Sequence, residues 1–149
     1  MPGFQPNNLA ISGSITSVTI TEPGAAPSNI IEKNQIWGIN VTVNLNGSGV
    51  PLLGGHIFEI TANLESIGQG YEGTVGRVDY LVPQGLGYVH NFFVHIKCPP
   101  AQTLPGYVDG LYEAAIILAL KSDAVLRIPL GLVGYQENLY VEFFSKIPP

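Results

Sequence analysis

The stretch Leu104 to Asp123, LPGYVDGLYEAAIILALKSD, constrains the fold more than any other in this chain. Between Asp109-Gly110 and Ser122-Asp123 both alternating sets of positions are apolar. Tyr112, Ala114, Ile116, Leu118 and Leu120 share one phase; Leu111, Ala115, Ile117 and Ala119 share the other, interrupted by Glu113. The residues are good helix formers, but a ten-residue apolar run between turn residues, followed at once by another alternating segment, fits a buried hairpin strand better than an isolated helix. A strand apolar on both sides has to be covered on both sides. One phase then belongs to the core. The other, Leu111, Glu113, Ala115, Ile117 and Ala119, is the expected interface, covered either by the chain itself, for instance by Leu139 to Phe144, or by another subunit.

The remaining segments also read as strands. Trp37, Ile39, Val41, Val43 and Leu45 alternate with Gly38, Asn40, Thr42 and Asn44, and His56 to Glu65 repeats the pattern with Phe58, Ile60, Ala62 and Leu64 inward. These two are expected to be antiparallel neighbours around Asn46-Gly47-Ser48-Gly49. Tyr71 to Val82 follows, with a bulge expected at Gly76. Tyr88 to Cys98 then places Phe92, Val94, Ile96 and Cys98 inward. After the central strand come Ala124 to Val133, with Leu126, Ile128, Leu130 and Leu132 in phase, and Leu139 to Phe144. Near the start, Leu9 to Thr21 changes phase at Thr16-Ser17, which predicts a bulge and a switch between sheets. Clusters of proline and glycine, such as Glu22 to Ser28 and Pro83 to Gly87, separate the strands. The expectation is one antiparallel β-sandwich domain over residues 1–149, of seven to eight strands, with short proline-containing arms at both ends.

Gly110-x-Tyr112 ahead of a central strand, together with a single tryptophan at an inward position, resembles the immunoglobulin-like superfold. The resemblance implies a two-sheet sandwich in which the Tyr112 hydroxyl bonds back across the preceding corner. The chain departs from that pattern in having no cysteine pair and in carrying Trp37 on the second strand counted, not the third. A jelly roll is the alternative architecture. Neither superfold brings a function with it.

Charge and motif content exclude several functions. Charged residues make up only 11% of the chain, and the formal charge is −5. Lys33, Arg77, Lys97, Lys121, Arg127 and Lys146 are scattered, so no basic patch exists to track phosphates, and nucleic acid is not an expected partner. No apolar run approaches the roughly 18 residues of a membrane span. The N-terminal residues have no secretory pattern, and the default expectation is a cytoplasmic protein. Cys98, the single cysteine, is in phase with Phe92, Val94 and Ile96 and reads as a buried thiol outside any disulfide. His90 and His95, five apart, face opposite sides of a strand; the Gly-x-Gly pieces open no helix; and no Gly-x-Ser-x-Gly elbow exists. Neither a metal site nor a cofactor is expected. Glu59, Glu65, Glu72 and Asp79 are expected as a solvated strand face and its loop; the alternative is a cluster near one end of the domain serving as an acid/base pair or a calcium site.

What remains is surface. The first reading is a non-catalytic protein-interaction or assembly module, using a sheet face or the end loops, whose partner is itself or another protein. The alternative is a small-molecule or carbohydrate recognition domain with Phe93, His95, Tyr88 and Tyr135 as ligand residues. A hydrolase built from dispersed His and Glu residues comes third.

Overall fold

The structure is a computed structural model that describes residues 3–4, 10–22 and 28–146. Most of the two expected proline-containing arms, and residues 23–27 of the first turn, lie outside the described residues. The strands are β1 (Gly3–Phe4), β2 (Ser12–Thr21), β3 (Ile30–Glu32), β4 (Trp37–Asn46), β5 (Ile57–Ser66), β6 (Glu72–Leu81), β7 (Val89–Cys98), β8 (Gly110–Lys121) and β9 (Pro129–Phe144). Among the described residues they form a four-stranded sheet, β1-β2-β4-β7, and a five-stranded sheet, β3-β9-β8-β5-β6. All pairings are antiparallel except that of β3 with β9.

The two layers follow from the alternation. The inward sets of β4, β5, β7 and β8 are all buried, and they meet in one hydrophobic core between the sheets. β9-β8-β5-β6 facing β2-β4-β7 is the strand order of an immunoglobulin-like sandwich with an extra strand beside its third. The Tyr112 hydroxyl closes the corner as expected, donating to the Val108 carbonyl at 2.7 Å and accepting from the Val108 amide at 3.3 Å. Beside it, Phe143 packs edge-on against both Tyr112 and Trp37, with ring centroids 5.5 and 5.1 Å apart. The Trp37 indole N–H donates to the Pro99 carbonyl at 2.8 Å. This aromatic group defines one end of the sandwich, the corner end.

Five expectations are corrected. β4 and β5 are not neighbours: β4 pairs with β2 and β7, β5 with β6 and β8. Both bury the same phase, so they face each other through the core, and the Gly47–His56 connection crosses between sheets by a 3₁₀ turn at Val50–Leu53 that buries Val50 and Leu53. β2 does bulge between Ile15 and Ser17, but it pairs with β4 along its whole length and does not change sheets. The bulge absorbs the phase change, so Ile15 and Ile20 both reach the core. Ala124 to Val133 is a strand only from Pro129. Residues 124–126 form a turn, and Leu126, Ile128 and Leu130 lie exposed; Leu132 alone of that set is buried, early in a continuous β9 that also takes in Leu139 to Phe144. Leu139 to Phe144 therefore lies beside β8 in the same sheet and does not cover its outer face. Finally, β3 and its parallel pairing with β9 had no counterpart in the expected strands.

Gly76 matters for closure of the sandwich. A Cβ there would come within 2.7 Å of the Ile96 side chain and 2.8 Å of the Lys97 carbonyl oxygen, so the absence of a side chain lets β6 press onto β7. The bulge expected nearby lies across from Ala62 and Asn63 of β5, where the register passes from Gly76 to Thr74.

Candidate interaction surface

The outer face of the five-stranded sheet is where the apolar excess of β8 emerges. In register, Ile117 lies opposite Tyr135, Ala119 opposite Val133, Glu113 opposite Tyr140 and Leu111 opposite Glu142. Ile117 is 37% exposed and Tyr135 58%; Leu111, Val133 and Tyr140 are also open to solvent, with Ala115 and Ala119 half-buried between them. Glu113 belongs to this row but is engaged: its carboxylate accepts from the backbone N–H of Asn138 at 3.0 Å, where β9 passes through a positive φ of 63°. The result is an aliphatic and aromatic patch along β8 and β9. Valine, tyrosine and alanine on a sheet surface give such a patch large contact area with few groups to desolvate.

Charge bounds the patch on its β5 and β6 side. Register places Glu59 opposite Asp79 and Glu65 opposite Glu72, so the four carboxylates form two separate pairs near opposite ends of the face and do not gather into one cluster. At the end away from the corner, Arg127 reaches back from the β8–β9 loop, donating to Glu59 at 2.8 Å and to Asp79 at 2.6 and 3.1 Å. Arg77 lies 3.8 Å from Glu59. The Arg127 guanidinium, by hydrogen bond and charge, holds the Asp79 carboxyl below its usual range despite partial desolvation. Nearer the corner, Glu65, Glu72, Glu113 and Glu137 line an open groove of about 520 Å³ together with Asn63, Thr74 and Ala115. Among the described residues no group of three or more His, Cys, Asp and Glu side chains is gathered to hold a metal ion.

The outer face of the four-stranded sheet is different. Asn44 donates to Asn91 at 2.7 Å, Asn46 donates to Asn44, Asn40 pairs with the His95 ring at 2.6 Å, and Thr16 donates to the Thr42 carbonyl. The His95 imidazole lies over Gly38, where a Cβ would stand only 2.3 Å from it. Phe93 stands beside His95 on β7, 57% exposed. The four ligand residues expected to act together are therefore dispersed. Phe93 and His95 share this face, Tyr135 lies on the opposite face of the molecule, and Tyr88 sits in the connection before β7.

The remaining reactive groups are separately engaged. His56 contacts the Leu53 carbonyl at 3.0 Å, and His90 bonds the Tyr80 hydroxyl at 2.7 Å in a stack with Phe92. Cys98 is buried, and desolvation pushes its thiol up to about 12, so it stays protonated and unreactive near neutral pH. Sequence reasoning missed the β8–β9 loop. Asp123 accepts from the backbone N–H groups of Val125 and Leu126, and these bonds, with Ser122, hold its carboxyl below the usual range. An Asp two and three residues ahead of free N–H groups, with Pro129 beyond, is a turn signal that the apparent alternation masked.

Two facing sheets, one with a polar outer surface and one with an exposed apolar patch along β8 and β9, define an all-β sandwich. No protein-family model matches the chain, and no curated protein does. Among solved structures, the C-terminal domain of Wzt is similar over 99% of this chain and 84% of its own length, at 11% identity and a TM-score of 0.56. That likeness shows a shared fold. The CARDB domain of a Pyrococcus furiosus protein, crystallised in complex with di-metal ions, is similar over 87% of this chain and 93% of its own, at 11% identity and a TM-score of 0.46. No helix among the described residues is long and apolar enough to cross a membrane.

Proposed function

We propose that this chain is a non-catalytic interaction module of the immunoglobulin-like superfold that docks a protein surface, in the first instance a second copy of itself, on the outer face of β8 and β9. The observation that carries this reading is the exposed Ile117–Tyr135 pair, set between Ala115, Ala119 and Val133 in the middle of a sheet. A solvated face would carry polar residues at those positions. A non-catalytic role is supported by histidines bound to separate partners, carboxylates split into two pairs, and a buried thiol. Sedimentation at micromolar concentrations tests the proposal: wild type associates, and Ile117→Glu is monomeric with an unchanged melting temperature, because a change at an exposed position costs the fold within about 0.5 kcal/mol. A wild type that stays monomeric throughout removes it.

A small-molecule or carbohydrate site remains the second reading, favoured by Phe93 and His95 above a row of asparagine amides. A thermal-shift screen over sugars and lipids with no ligand-dependent change counts against it.

A further inference from the structure

Three connections meet at the end of the sandwich away from the corner: residues 47–56 between β4 and β5, 82–88 between β6 and β7, and 122–128 between β8 and β9. Among the described residues, every large apolar side chain that is at least 66% exposed lies here, namely Leu52, Leu81, Tyr88, Val125 and Leu126. Each of the three connections contributes, with Leu81 as the last residue of β6. Exposure on that scale means that these side chains stand clear of their neighbours.

Two of the connections, 47–56 and 82–88, contain no Asp, Glu, Lys or Arg. The third contains Asp123 and Arg127, but both are held inside the protein's own bonding. The Asp123 carboxylate accepts from the Val125 and Leu126 amides, and Arg127 turns back onto Glu59 and Asp79. The backbone of the loops is engaged as well. Val50, Leu52 and His56 donate to the carbonyls of Gly47, Gly49 and Leu53; Gly55 and Val82 donate to those of Val82 and His56; and Ser122 both donates to and accepts from the backbone of Ile128.

These properties together select the occupant. A protein partner would find five side chains on three loops, against the roughly 20–30 residues a side of a specific interface, and no free charge on the tips to set its register. A lipid interface needs neither. It takes aliphatic side chains and a tyrosine without a fixed partner geometry, and it admits irregular backbone only where the polar groups are already paired, as here. The formal charge of −5 also decides the kind of lipid. Among the described residues, Lys121 is the one cation at this end outside an ion pair, too few to hold an acidic headgroup layer.

We infer that this end of the sandwich docks reversibly on a zwitterionic bilayer, with Leu52, Val125 and Leu126 entering the headgroup region and Tyr88 lying at its level. The surface is separate from the β8–β9 face, where Ile117 and Tyr135 lie midway along their strands.

Flotation with phosphatidylcholine vesicles tests this. Wild type should float with the lipid at millimolar concentration, and Ile117→Glu should bind as wild type does. Leu52→Asp and Leu126→Asp should each lower the bound fraction several-fold with an unchanged circular dichroism melt. Replacing part of the phosphatidylcholine by phosphatidylserine should not raise binding. Trp37 is the single tryptophan and is buried, so Leu126→Trp supplies a reporter whose emission should shift to the blue on lipid and be quenched by brominated acyl chains. Wild type that stays unbound, binding that requires phosphatidylserine, or a bound Leu126→Trp protein left unquenched overturns the inference. So does an effect of Leu52→Asp or Leu126→Asp seen only on the lipid-free sedimenting mass, which would give the tips to a protein contact. The masses of wild type and Ile117→Glu in lipid-free solution decide the β8–β9 face separately.

Discussion

The two outer faces of this sandwich stand on the same pleat and answer the same demand from one core, yet they are opposite in character. β4 buries every second residue and turns Asn40, Thr42 and Asn44 outward, where Asn44 bonds to Asn91 and Asn40 to the His95 ring. β8 buries its inward set just as completely but turns Leu111, Ala115, Ile117 and Ala119 outward. The fold therefore does not require an apolar outer side, and the surplus on β8 and β9 calls for a different cause. Association supplies one, since a face that is covered part of the time gains by lacking groups that must be desolvated.

The difference can be broken most sharply by placing the same charge on each face. Ile117→Glu should weaken self-association at least tenfold, about 1.4 kcal/mol, as for a central contact residue, whereas Thr42→Glu at the middle of the opposite face should leave the sedimenting mass unchanged. Equal effects would erase the distinction. Next in size is the separation of inner from outer side. Tyr112→Phe removes the corner bonds to Val108 and should cost about 1 kcal/mol, or roughly 2–4 °C of melting temperature, without altering association.

Acid sharpens the charged border of the apolar face. Asp79 and Asp123 both titrate below the ordinary 3.8 in the folded chain, Asp79 through Arg127 and Asp123 through the amides of Leu126 and Val125. The unfolded chain then binds protons first, so their stabilising effect is complete above about pH 4 and is lost as pH falls through the folded values. Melting curves from pH 6 to pH 2.5 should show this fall, flatter in Asp79→Asn. The smallest effect belongs to the acidic groove. Glu65 stands directly across from both Glu72 and Glu113, and Glu65→Gln should raise stability by about 0.5 kcal/mol in low salt, with the gain fading as salt is added.

How far the sequence shows this arrangement depends on the length scale of each signal. Period-two alternation identifies the inward sets of β4, β5, β7 and β8 because each strand half-buries its own residues, and Gly110-x-Tyr112 marks the corner by local geometry. Alternation carries no information about which strands lie side by side. β4 and β5 looked like neighbours, and Phe93 and Tyr135 looked like members of one site, although they occupy opposite faces. The same blindness put Leu126, Ile128 and Leu130 in phase with Leu132 on one strand. Their spacing mimics a strand, but Asp123 bonding to its following amides and Pro129 at the strand start decide for a turn. The β8 outer residues were readable as a surplus because both phases of one strand were apolar, and that needs no knowledge of neighbours.

Hydroxyl-radical footprinting across a concentration series tests the central claim most directly, since it reads both faces in one sample. On concentration, Tyr135 and Tyr140 should become protected while Phe93 and Tyr88 keep their reactivity, and Ile117→Glu should abolish the protection. Protection of Phe93 with Tyr135 and Tyr140 unchanged, or no protection on either face in associated protein, would contradict the assignment of the β8–β9 face.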